Sequence, residues 1–480
     1  MSARSVQRVA VIGGGISGLA AAYRLRELAV EQSLPVEVTV LERAPRAGGC
    51  VETLQRDGFT METGAETLLA DKPAIVSVLR RLGLEHELAP TRPEFKGSRV
   101  LRNGRLVPLP PGVMLFAPSR PAALVTSGLF SLRGLARMAM EPFVPVRRSS
   151  EDESLASFVT RRLGREVLER LAQPLIGGIY SADPQRLSMQ AALPRFVELE
   201  QRYGSLVRAL TSSDQAHRSA TLTSVRGGLG TIVDRFVHEL SGRVILNQGV
   251  LALQRHCDSS GTRSWVLSLA DGSTLTADAV ICATPLHEGA RLLRTVQPHL
   301  SELLGSIAYN SIATINLAFD EAAARRLPRS YGLVVPFVEG RRITALTIVS
   351  QKYADRAPQG SVLLRVFIGG ALQANLLDFD DQTLVRAARD EIRDLLGISA
   401  NPLLTTVRRW PHRLPEYALG HRERIAQIER EASALPCFAL AGAALQGVGV
   451  PDCVQSGERA ADSMLAALFP AGSDVHVKAS

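Results

Sequence analysis

The chain has 480 residues, 46% of them hydrophobic and 21% charged, with a formal net charge of +8. That length and apolar content exclude both a single compact core and a disordered chain, so two or three folded domains are expected. No run reaches about 20 apolar residues, which argues against a membrane-spanning helix, and the five scattered cysteines (Cys50, Cys257, Cys282, Cys437, Cys453) carry no metal-ligand spacing and suit a reduced, cytoplasmic setting.

Residues 1–7 are short and polar, and no secretory leader is read there. Residues 8–12 (RVAVI) read as a buried strand, residues 16–28 as a helix and residues 37–42 (EVTVLE) as a second strand. Together they make a βαβ unit. Between the first strand and the helix, Gly13, Gly14, Gly15, Ile16, Ser17 and Gly18 match G-x-G-x-x-G, and Glu42 follows Gly18 by 24 residues. Gly13 permits the tight turn, Gly15 lets the backbone approach a pyrophosphate, and Gly18 lets helix and strand pack closely. The helix N-terminus offers N–H groups to the pyrophosphate, and Glu42 can accept from a ribose.

Further on, Asp71 and Pro73 mark the start of a helix that runs through Leu82 and stops at Gly83. Between Ala89 and Ser150 stand ten Lys and Arg against Glu94 and Glu141, an excess equal to the whole net charge. Such a segment attracts anions, whether lipid headgroups or carboxylated substrates. Nucleic acid is not expected, since aromatics are sparse there. Residues 121–140 read as an amphipathic helix and residues 151–170 as another. Residues 265–269 and 273–277 flank Asp271-Gly272 as a hairpin. Strands follow at 279–283, 311–319, 332–336, 342–350 and 362–368, then a helix at 381–396, a strand at 438–442 and a last helix at 454–468. Residues after Pro470 are expected to be loose.

The motif alone leaves FAD and NAD open. Arg46-Ala47-Gly48-Gly49 extends the fingerprint as in glutathione-reductase-type FAD proteins, and Gly442 with Gly447-Val448-Gly449 precedes a late helix whose N-terminus can stabilise a reduced ring. No second G-x-G-x-x-G is present, so electrons are expected to leave without a separate NAD(P)H domain, most simply to oxygen.

Residues 171–188 (LAQPLIGGIYSADPQRLS), 409–425 (RWPHRLPEYALGHRERI) and 441–457 (AGAALQGVGVPDCVQSG) resemble segments of the oxygen-dependent protoporphyrinogen and coproporphyrinogen oxidases, within the flavin amine oxidase superfamily. With the N-terminal fingerprint, this resemblance spans nearly the whole chain. It implies an α/β fold: an FAD domain from residues 1–88, 221–300 and 405–480, an inserted helical domain at 89–220 that can rest on a membrane, and a mixed-sheet substrate domain at 301–404. The implied reaction of haem biosynthesis removes six electrons from a porphyrinogen, through non-covalent FAD, to O2, giving H2O2. The setting implied is cytoplasmic, or peripheral at an anionic inner membrane face, and a homodimer is an open expectation.

Carried over by position, the FAD contacts are Gly13, Gly14, Gly15, Ile16, Ser17, Gly18, Glu42, Arg43, Gly48, Gly49, the turn Gly64, Ala65, Glu66 and Thr67, Val250 at the adenine side, and Trp410, Val448, Gly449 and Val450 at the isoalloxazine. Val334, Ile348 (or Leu346) and Phe367 match apolar positions that sandwich the macrocycle. No metal and no catalytic side chain are expected, because the flavin does the chemistry. The sequence departs from the family in two places. The turn ordinarily reads Gly-Pro-(Asn/Asp)-Ser, so Glu66 brings an extra carboxylate. The arginine that meets a propionate falls on Ser98, with Lys96 and Arg99 beside it, so either the register slips by one, which makes Arg99 the candidate contact, or the anion is held differently. His421 reads as a structural histidine before a base, and Cys453 as non-covalent context. An amine or carotenoid oxidase, or a silent FAD and porphyrin carrier, are the competing readings.

Overall fold

The computed structural model describes residues 5–149, 151–211, 222–257 and 263–470. The expected domain boundary at 220 and 221 and the tail after Pro470 lie outside the described residues.

Gln7–Ile12 is the middle strand of a five-stranded parallel sheet ordered Val244–Ile245, Val36–Leu41, Gln7–Ile12, Ala279–Cys282, Phe438–Leu440. Its β-branched runs are apolar on both faces, as a sheet covered on both sides requires. Helices Ile16–Glu31 and Val450–Leu468 cover one face. Helices Leu286–Leu293 and Pro298–Gly305, with the antiparallel strands Val250–Cys257, Arg263–Leu269 and Thr274–Ala277, cover the other. The two long helices meet through small residues: a Cβ on Gly457 would collide with the Ser17 carbonyl.

A second, mixed sheet of seven strands runs Leu404–Pro415, Tyr309–Asp320, Ser361–Gly369, Ala345–Ile348, Gly332–Val334, Ser98–Arg102, Arg105–Pro108. All its pairs are antiparallel except Gly332–Val334 with Ser98–Arg102. This differs from the expected layout. Ser98–Arg102 and Arg105–Pro108 were expected in the helical domain, and all of Leu404–Pro415 after its first residue in the FAD domain.

The helical region has its own core. The helix expected at 121–140 is two helices, Pro121–Val125 and Leu132–Ala139. Gly128 at φ +70 turns the chain between them, and Ser131 caps the second by accepting from Gly134 N–H at 3.0 Å. The helix expected at 151–170 breaks after Arg162, where Gly164 takes φ +99. Asp71 is not a cap; Lys72 holds that place, and Pro73 opens Pro73–Arg81.

Candidate functional site

Gly13, at φ +104, makes the turn after the first strand, and a Cβ there would press on the Ala283 carbonyl at 2.8 Å. At Gly15 a Cβ would meet nothing nearer than the Gly49 Cα at 4.0 Å, so this backbone stands against open space at the start of helix Ile16–Glu31. A strand, a glycine turn and free helix amides beside that space fit a dinucleotide pyrophosphate. Glu42 ties the turn together: Gly14 N–H donates to its Oε2 at 2.7 Å and Ala44 N–H to its Oε1 at 2.8 Å. Arg43 pairs with Glu288 at 2.8 Å. Gly249 approaches the Arg43 side chain, which sets Val250 on the Glu42 side of the turn.

The cradle continues without a gap toward the large sheet. Gly48 N–H donates to Gly14 O at 2.7 Å, and Ala65 N–H donates to Cys50 O at 3.0 Å. Gly64 lies so close to Cys50 and Trp410 that a side chain would not fit. Trp410 Nε1 and Thr314 Oγ1 both donate to Thr63 O, at 2.7 and 2.6 Å. One row of the large sheet, read from strand register, is Trp410 with Ile312, Thr314 with Phe367, Phe367 with Ala345, Ala345 with Val334, and Val334 with Val100. Residues two apart share a face. Val334 and Val448 both pack on the helical core, while Gly449 caps and Val450 opens the last helix. Asp452, in that helix's first turn, is paired to Lys72 at 2.6 Å.

Two expected substrate contacts fall elsewhere. Ile348 is fully buried with Leu346 in the core under helix Asp381–Leu396, on the far face of the sheet. Arg99 stands opposite Leu333 of that same core and donates to Leu106 O. A shift of one residue along a strand reverses the face, so Ser98 and Val100, not Arg99, share the face of Val334 and Phe367.

Glu66 is not a bare extra carboxylate. Its Oε2 takes a bond from Lys352 Nζ at 2.6 Å, and Arg365 Nη1 is 3.8 Å from its Oε1. Burial pushes its carboxyl up, but the Lys352 and Arg365 cations outweigh burial and hold it below the usual range. His421 is buried, stacked on Tyr417 at 4.2 Å, with Nε2 at 2.9 Å from Ala444 O. Burial pushes it down to about 4, which suits a neutral structural ring.

Sequence reasoning missed four residues. Cys50 is exposed beside the glycine pair. Arg46 donates to Gly49 O at 2.6 Å and lies 5.9 Å from the Trp410 ring centre. Lys352 and Arg365 flank Glu66. The only available signal was the position of Arg46 and Cys50 on either side of the glycine pair; nothing local marked the other two.

The family model for flavin containing amine oxidoreductase matches residues 16–465. The coproporphyrinogen III oxidase of Bacillus subtilis is 34% identical over 96% of this chain and 99% of its own length. Protoporphyrinogen oxidase 2 of Arabidopsis thaliana is 29% identical over 99% of this chain and 97% of its own. Among solved structures, one from Exiguobacterium sp. 255-15, provisionally called a protoporphyrinogen oxidase, superposes with a TM-score of 0.85 at 29% identity, covering 96% of this chain and 99% of that one. The glycine cradle, its continuation to the large sheet and these full-length likenesses agree: the chain is an FAD-dependent oxidoreductase that belongs to the flavin containing amine oxidoreductase family.

Proposed function

We propose that this chain oxidises a porphyrinogen of haem biosynthesis, with coproporphyrinogen III favoured over protoporphyrinogen IX, and passes the electrons to O2 with release of H2O2. The observation that carries the reading is the unbroken path from the Gly15 cradle through Gly49, Cys50 and Gly64 to the sheet face bearing Trp410, Phe367 and Val334. The names of the bacterial relatives favour coproporphyrinogen.

In this reading Gly13 to Gly18 and the amides of the first helix turn hold the pyrophosphate, Glu42 the ribose, and Gly64, Trp410 and Gly449 border the ring. When bound, the flavin accepts hydride equivalents from the substrate and gives the electrons to oxygen. Phe367, Val334 and Val448 hold a broad macrocycle flat and exclude water from it, so orientation does most of the work. Anaerobic mixing of the FAD-loaded protein with each porphyrinogen tests this. Bleaching of the flavin, followed by recovery and porphyrin fluorescence in air, is expected; no bleaching by either substrate removes the reading.

Peripheral membrane contact belongs to the same reading. Among the described residues no helix is long and apolar enough to cross a membrane. Yet Leu132 (86% exposed) in helix Leu132–Ala139, and Met140 (59%) and Phe143 (81%) just after it, are large apolar side chains left exposed in the segment that also carries the exposed Arg133. Exposed apolar side chains beside a basic residue suit an anionic lipid surface.

A further inference from the structure

Behind the turn Gly64, Ala65, Glu66, Thr67 lies a charged cluster that neither the dinucleotide fingerprint nor the apolar substrate wall explains. Lys352 Nζ bonds Glu66 Oε2 at 2.6 Å and Thr67 Oγ1 at 2.8 Å, and the Thr67 hydroxyl shares a bond with Tyr353 OH at 2.9 Å. Arg365 donates to the Gly64 carbonyl and stacks on Phe367 at 4.7 Å. Arg356 Nη2 donates to Ser224 Oγ and Val225 O, both at 2.9 Å. Glu62 accepts from Leu229 N–H at 2.7 Å and Thr53 Oγ1 at 2.8 Å, and the Arg356 and Arg365 charges act on it.

Arg356, Arg365, Glu62 and Glu66 are all at least nine-tenths buried. At the turn itself Lys352 and Arg365 stand as two cations against the single carboxylate of Glu66, a surplus of one positive charge, while further back Arg356 faces Asp355, its Nε 3.9 Å from Asp355 Oδ1, and Glu62, whose carboxyl burial pushes up to about 7. Nη1 of Arg356 and Nε of Arg365 have no hydrogen-bond partner, and neither has Oε1 of Glu66, which Arg365 approaches only to 3.8 Å. A buried cationic surplus is costly unless negative charge comes to it. The turn in front of it is the one whose Gly64 closes the cradle against Trp410.

We propose that Lys352, Glu66, Arg365, Arg356 and Glu62 form an electrostatic positioning group that favours the negatively charged, reduced state of the flavin, with the Lys352–Glu66 pair setting its strength. The inference rests on the reading of this turn as a wall of the flavin site. Hydride leaving a meso carbon with its bonding electrons adds one negative charge to the acceptor, and the substrate then sheds a pyrrole N–H proton to water and closes a C=N bond. The cluster acts on the first of these charges, through the turn, without touching the substrate. Fixed charge already in place needs no reorganisation when the electrons arrive.

The test is the two-electron potential of the bound FAD, measured anaerobically by dye equilibration in the loaded protein. Glu66→Gln removes a negative charge and is expected to shift the reduced-to-oxidised ratio at a given potential about tenfold toward reduced, roughly 30 mV upward. Lys352→Met is expected to shift it about tenfold the other way, and Lys352→Arg to restore the wild-type value. Opposite signs separate an electrostatic role from damage to the fold, which would move both variants alike. Shifts of the same sign, or a Glu66→Gln potential at or below wild type, overturn the inference, and the near-isosteric Glu66→Gln decides alone should Lys352→Met not retain FAD. A wild-type protein that binds FAD but is bleached by no porphyrinogen removes the proposed substrate and leaves this measurement standing. A wild type that binds no FAD overturns both readings.

Discussion

Glu42 offers the sharpest test of the dinucleotide cradle. Its carboxylate accepts two backbone amides, Gly14 at 2.7 Å and Ala44 at 2.8 Å, and so fixes the glycine turn to the end of the second strand. A hydrogen bond to a charged acceptor contributes about 1.5–3 kcal/mol, so two are worth roughly 3–6 kcal/mol before solvent is considered. Glu42 is only half-buried, and water can reach the freed amides in Glu42→Ala. The lower end, about 3 kcal/mol, is therefore expected, which at 1.4 kcal/mol per decade weakens FAD binding about 100-fold. Glu42→Gln keeps one acceptor oxygen and sets an NH2 group against the other amide, so about a tenfold loss is expected. Titration of apoprotein with FAD, followed by quenching of flavin fluorescence, measures both. Unchanged FAD affinity in Glu42→Ala would refute the assignment of Glu42 and, with it, the claim that this turn holds the dinucleotide.

Phe367→Ala should raise the porphyrinogen KM while leaving the melting temperature close to wild type, whereas Ile348→Ala should cost about 2–5 kcal/mol of stability with KM unchanged; the reverse pattern would show that the sheet faces are assigned the wrong way round. Gly457→Ala forces the first and last long helices apart at Ser17 and should cost about 1–3 kcal/mol, read as a lower melting temperature and weaker FAD retention. His421 titrates near 6.5 when unfolded and about 4 when folded, so the unfolded chain takes up the proton first as pH falls. The stability it supplies is full above pH 6.5 and is lost toward pH 4, about 3 kcal/mol for 2.5 units. Chemical denaturation across that range should show this loss in the wild type and a flatter profile in His421→Gln. Sedimentation with anionic vesicles at low salt should carry down the wild type but not Leu132→Asp/Phe143→Asp; a wild type left in the supernatant ends the membrane reading.

The parts of this chain that were legible are those in which backbone geometry dictates residue type. Gly13 at positive φ and Gly18 against the Gly13 carbonyl admit nothing larger, so the turn announces itself. The helix Asp381–Leu396 was readable at both ends because Asp380 caps Thr383 N–H at 2.7 Å and Gly397 takes φ +70. Which face a strand residue takes was not readable. Ile348 and Arg99 were each one place from a residue on the face of Phe367 and Val334, and apolar residues line both sides of this sheet. The partner of Glu66 was hidden for another reason: Lys352 lies 286 residues away, at the end of the short helix Val349–Lys352, and only the tertiary fold brings it to the turn.

The parallel sheet that carries the cradle is assembled from strands at residues 7–12, 36–41, 244–245, 279–282 and 438–440. As the polypeptide leaves the ribosome, Gln7–Ile12 soon gains Val36–Leu41 on one side, yet Ala279–Cys282, its partner on the other, follows some 270 residues later and the helix seated on Ser17 later still. The first βα unit must therefore wait with one long edge unpaired and an apolar helix flank uncovered. Such a wait exposes unpaired strand edge and apolar surface on the nascent chain, so soluble yield is expected to fall as expression is made faster.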